Sequence, residues 1–71
     1  MPMIIINMVK GRTDKQKEDL IRKVTMGAAK ALDEPKKAIQ VIINDIPQTN
    51  WGIGGIQFSK RGHTPKGNKN V

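Results

Sequence analysis

The chain has 71 residues, a net charge of +7, one histidine and no cysteine. Disulfides and thiolate metal sites are therefore excluded, and an imidazole metal centre is disfavoured because His63 stands in a polar tail. A domain this small buries only about 60% of its unfolded surface, so with no disulfide or metal to staple it, oligomerisation is the expected source of stability.

Pro2 stands behind Met1 and ahead of the apolar run Met3-Ile4-Ile5-Ile6. Removal of Met1 would leave a secondary amine at the tip of a strand. An α-amino group has a pKa of about 7.7–8.0, and an apolar setting lowers it towards neutrality. Such a group can serve as a general base. Taken alone, Pro2 is more simply a strand-start proline. Residues 3–9 read as a strand, with Ile4, Ile6 and Met8 on one face and Met3, Ile5, Asn7 and Val9 on the other. Both faces are mostly apolar, so both should be covered.

Lys10-Gly11-Arg12 reads as a turn, with Arg12 a solvated turn residue by this reading alone. Thr13-Asp14-Lys15-Gln16 matches a capping box. It opens a helix expected from Asp14 to Leu32, with an apolar stripe of Leu20, Ile21, Val24, Ala28, Ala31 and Leu32. Lys17, Glu18, Arg22 and Lys30 are expected to face water. Asp33-Glu34-Pro35 ends the helix, because proline turns the preceding residue away from helical geometry.

Residues 38–45 read as a second strand, with Ile39, Val41 and Ile43 on one face and Gln40, Ile42 and Asn44 on the other. Strand, helix, strand makes a βαβ unit with parallel strands and a right-handed crossover. Trp51-Gly52-Ile53-Gly54-Gly55-Ile56-Gln57-Phe58 suggests a tight hairpin. It does not read as a phosphate loop, since the glycine spacing is wrong and no helix is expected to follow it. The fold class is α+β: a β-α-β unit with parallel strands plus a C-terminal β-hairpin. One domain spans 1–60, and 61–71 form a basic tail expected to be flexible. The helix covers one face of the sheet; the other would leave a large apolar patch, so it is expected to pack on further subunits.

No segment has the length of a transmembrane helix and no signal peptide is evident, so a cytoplasmic location is expected. Four basic residues and no acidic ones lie between Gln57 and Val71, so more than half of the net charge sits in the tail. With Trp51 and Phe58 as the only aromatics, there is no stacking platform, and nucleic acid is a disfavoured partner. A basic surface equally attracts small anionic substrates.

In their order and spacing these motifs resemble the 4-oxalocrotonate tautomerase family, small tautomerases with an N-terminal proline. The resemblance runs through Met1-Pro2, Gly11-Arg12-Thr13-Asp14 with Gln16-Lys17, Leu20-Ile21, Leu32-Asp33 with Pro35, Val41-Ile42-Ile43 and Gly52-Ile53-Gly54-Gly55. It covers about residues 2 to 60. It implies a homo-oligomer, usually a hexamer built as a trimer of dimers, without cofactor or metal. It also implies a keto–enol tautomerase acting on a small anionic 2-hydroxydienoate or 2-oxo acid, of the kind represented by 2-hydroxymuconate. By the resemblance Pro2 is the catalytic base, Arg12 grips a substrate carboxylate and Trp51 walls the site. Gln40 stands where the type enzyme has a second arginine, which polarises the substrate carbonyl. Gln40 donates a hydrogen bond without charge, so a different 2-oxo acid or enol is an equal expectation. A basic oligomeric binding module, or a catalytically impaired homologue, is the alternative. The family's dehalogenases need a carboxylate to activate water, and no acidic residue is expected on the strands near Pro2.

Overall fold

A computed structural model describes residues 1–61 of the chain. Strand β1 (Met3–Val9) leads through a short turn into helix α1 (Asp14–Leu32), and strand β2 (Gln40–Ile46) returns beside β1. The two strands are parallel, with Met3 opposite Gln40, Ile5 opposite Ile42, Asn7 opposite Asn44 and Val9 opposite Ile46. A small antiparallel ribbon follows, β3 (Gly52–Ile53) with β4 (Ile56–Gln57), and a helical turn α2 (Phe58–Arg61) closes the described chain. The expected β-α-β unit with a C-terminal hairpin is the observed architecture.

Helix α1 has the limits that its caps dictate. Thr13 Oγ1 accepts from the Gln16 backbone N–H at 3.1 Å, and Gln16 Oε1 accepts from the Thr13 N–H at 2.9 Å. These reciprocal bonds satisfy two of the orphan donors of the first turn. At the other end Asp33 adopts a left-handed conformation, φ 58°. Its N–H and that of Glu34 reach back to the carbonyls of Lys30 and Ala29. Aspartate tolerates this region better than most non-glycine residues.

The second strand begins at Gln40, two residues later than expected. Pro35 is extended and starts a 3-10 turn over Lys36–Ala38, closed by Ala38 N–H to Pro35 O and Ile39 N–H to Lys36 O. Those local bonds take Ala38 out of the ladder. The expected hairpin is present, with Gly54 at φ 62° and Gly55 at φ 87°. Positive φ at both central residues defines the primed turn that matches strand twist, and glycine adopts it without a Cβ clash. A helical turn, α2, follows the hairpin, where the sequence reading expects no helix; Ser59 and Lys60 belong to it, and the Phe58 N–H donates to Trp51 O over 2.7 Å. The remainder of the expected tail, residues 62–71, lies outside the described residues.

The helix stripe also differs from expectation. Ala29, with Ile39 of the strand entrance, is buried, while Ile21 and Leu32 stay 39% and 54% exposed and Ala31 is exposed. The helix C-terminus packs against the Lys36–Ala38 turn and β2, which rotates the burial towards Ala29. No other described residue is buried. The faces of the sheet fall as expected: Ile4, Ile6, Val41 and Ile43 are half-buried under α1, and Met3, Ile5, Asn7, Gln40, Ile42 and Asn44 lie on the open face. Ile5 is 55% and Ile42 42% exposed. The radius of gyration is 15.3 Å, against about 11 Å for a compact chain of this length. The ribbon and α2 account for the difference, because they pack mainly on themselves and on the Gln48–Asn50 turn.

Candidate functional site

Parallel strands bring both N-termini to one end of the sheet and both C-termini to the other. At the first end, Gln40 donates its backbone N–H to the Pro2 carbonyl over 3.0 Å. Pro2 is half-buried. The Gln40 side-chain amide lies 3.5 Å from the Met1 sulfur, a weak acceptor. While Met1 is in place, the Pro2 nitrogen is an amide and has no basicity. The acceptor at Met1 and the carbonyl at Pro2 put both functional groups of Gln40 at the chain's N-terminus.

Arg12 and Trp51 leave from the opposite end. Arg12 follows Gly11, whose φ of 143° turns the chain out of β1, and it precedes the Thr13 cap. It is exposed, and its side chain pairs with no described residue. Trp51 is half-buried beyond the Gln48–Asn50 turn that follows β2. β1 rises about 3.3 Å per residue, so Pro2 and Val9 are on the order of 20 Å apart. One chain therefore brings Pro2 to Gln40 but not to Arg12. The described residues of a single chain form no pocket.

Lys17 corrects an expectation. It does not face water: its ammonium forms an ion pair with Asp45 Oδ2, the side chains being 28% and 26% exposed. The hydrogen bond that Lys17 donates to Asp45 raises the Lys17 pKa, partial burial opposes that shift, and the charges of Asp45 and Asp14 add to the rise. Asp45 Oδ1 is buried with no hydrogen-bond partner among the described residues. The periodicity could have found this pair. Lys17 precedes Ile21, Val24 and Ala28 by four, seven and eleven residues, and Asp45 shares parity with Ile43 and Val41. Both charges thus fall on apolar faces, where a partner is required.

Asp45 stands opposite Met8, at the far end of the sheet from Pro2, so the strands place no carboxylate beside the candidate base. No group of three or more histidine or acidic side chains that could hold a metal occurs among the described residues. No helix among them is long and apolar enough to cross a membrane.

The family model described as Tautomerase enzyme matches residues 2–61. The 2-hydroxymuconate tautomerase of Pseudomonas sp. (strain CF600) is 43% identical over 60 residues, 84% of this chain and 95% of the relative. Among solved structures, a 4-oxalocrotonate tautomerase isozyme of Methylibium petroleiphilum superposes with a TM-score of 0.83 at 41% identity, covering 86% of this chain and 98% of the other. A heterohexamer 4-oxalocrotonate tautomerase of Chloroflexus aurantiacus J-10-fl gives 0.82 at 37%, covering 84% and 97%. With the strand order and the hairpin in place, the chain belongs to the tautomerase family and is an isomerase of the 4-oxalocrotonate tautomerase type.

Proposed function

We propose that this enzyme ketonises a small anionic 2-hydroxydienoate or related 2-oxo acid enol in the cytoplasm, with the Pro2 amine as general base once Met1 is removed. The observation that carries the reading is the place of Pro2: half-buried immediately before β1, with its carbonyl held by the Gln40 N–H. The amine takes the enol hydroxyl proton. The electron pair moves through the conjugated system to carbon, and the ammonium returns a proton there, leaving a ketone and the neutral base. The balance is closed and uses no cofactor.

Arg12 binds a substrate carboxylate through its planar fork. Since Pro2 and Arg12 leave opposite ends of one sheet, a substrate of a few ångströms meets both only where two copies adjoin. Trp51, at the Arg12 end, then supplies the apolar wall that disfavours a charged amine. Self-association also covers the open sheet face, and relatives of this fold include a heterohexamer. A homohexamer built as a trimer of dimers is the arrangement proposed here. Gln40 presents a neutral donor beside Pro2, which suits a substrate that develops less charge at its carbonyl end than the 2-hydroxymuconate dianion.

The test is ketonisation of 2-hydroxymuconate and of phenylenolpyruvate by protein of confirmed intact mass. Pro2→Ala is expected to lower kcat by about 10²-fold, the scale of a general base. Equal rates in the two proteins would sink the role of Pro2.

A further inference from the structure

Lys17 and Asp45 have no part in this chemistry, yet they form the tie across the Arg12 end of the sheet. The Gly11–Arg12 turn is fixed on both flanks. On the strand side, Lys10 donates its N–H to the Ile46 carbonyl at 2.8 Å. On the helix side, Thr13 and Gln16 form the capping box, and Lys17 donates its own N–H to Thr13 O at 3.0 Å. Lys17 and Asp45 join those two flanks: one is on the first turn of α1, the other next to Ile46 on β2. Between them Arg12 has no side-chain partner among the described residues. Its anchorage is therefore its backbone, whose two flanks these bonds fix and the Lys17–Asp45 pair ties to each other. The carboxylate of Asp45 has one oxygen buried and unpartnered and the other paired with Lys17; a lone buried carboxylate would be strongly unfavourable.

We propose that Lys17 and Asp45 are positioning residues that hold Arg12 where it binds the substrate carboxylate, an inference that rests on the reading of Arg12 above. The pair acts on binding rather than on proton transfer, because Pro2 lies at the other end of the strand.

The test is a kinetic cycle on the full chain with 2-hydroxymuconate as substrate. Lys17→Met/Asp45→Asn removes both charges without stranding one. It is expected to raise KM by about three- to tenfold, well within the hundredfold that a misplaced group can cost. kcat is expected to stay within about twofold, since the loss is in uniform binding. Made on an Arg12→Ala background, the same double change is expected to leave KM where Arg12→Ala alone puts it. Lys17→Arg, which keeps the ion pair, is expected to hold the wild-type KM. If Arg12→Ala raises KM but the neutral pair does not, the positioning role is overturned while the Arg12 reading stands. An equal rise in both backgrounds overturns it too, since a purely structural effect adds. If Arg12→Ala leaves KM unchanged, the Arg12 reading falls, and this inference with it. Should the neutral pair fail to assemble, Asp45→Asn alone, which leaves the long Lys17 side chain able to carry its charge to water, decides between these outcomes in the same cycle.

Discussion

Gln40 is bonded to Pro2 through the backbone, N–H to carbonyl at 3.0 Å, so the first residue of β2 stands beside the residue that bears the candidate base. Its side chain ends in a neutral amide directed at the N-terminus. Gln40→Arg would add a charged donor there. Because Gln40 is exposed on the open face, the fold should accommodate it. The expected result is a rise in kcat on 2-hydroxymuconate of at least about tenfold, within the 10²–10³ that one such donor contributes. Initial rates of the two processed proteins check it. An unchanged kcat would show that Gln40 does not face developing charge.

Thr13→Ala removes one half of the reciprocal cap and leaves the first turn of α1 short of an acceptor. A loss of about 1 kcal/mol is expected, within the 0.5–2 range for such caps. Urea denaturation at a fixed protein concentration measures it. Thr13→Asn, which keeps an acceptor, is expected to lose less.

The Lys17–Asp45 pair has a signature at alkaline pH. Lys17 has a folded pKa above its ordinary 10.5, first because of the hydrogen bond to Asp45. Such a group contributes stability that is fully present below the unfolded value and is lost as pH rises through the folded one. Thermal melts compared between wild type and Lys17→Met/Asp45→Asn should therefore differ most below pH 10.5 and converge only as the pH rises through the higher folded value. Parallel curves throughout would show that the pair adds nothing to folding.

Ile5 and Ile42 sit opposite each other on the open face. Ile5→Lys puts a charge into that surface. Sedimentation is expected to show a smaller species than wild type, because burying an isoleucine contributes about 1.5–3 kcal/mol in each subunit. An unchanged assembly would place the interface elsewhere.

The elements that carry explicit chemical stops were readable in the sequence. α1 runs from Asp14 to Leu32 because Thr13 and Gln16 mark its start and Pro35 follows its end. The hairpin follows from Gly54-Gly55, which only a primed turn requires together. What was not readable depended on competition between weak local forces. The Lys36–Ala38 turn and the ladder compete for Ala38, and two backbone bonds decide it. Ala29 is buried in place of Leu32 because of where the helix end rests, which no periodicity contains. Lys17 was read by its charge when its spacing placed it with Ile21, Val24 and Ala28. For the site, Pro2 was visible by position and Gln40 by its departure from the family pattern. That Pro2 and Arg12 occupy opposite ends could have been deduced from the seven residues of β1, which no turn interrupts.

That uninterrupted strand acts as a ruler. If Pro2 serves one site and Arg12 another, the length of β1 sets the distance between neighbouring sites in the assembly. One inserted residue would add about 3.3 Å and send every later side chain of the strand to the opposite face. Two would restore the faces and move the sites apart by about 7 Å. The strand can therefore accept changes of side chain much more readily than changes of length, and its spacing is a property of the whole assembly that each single chain encodes.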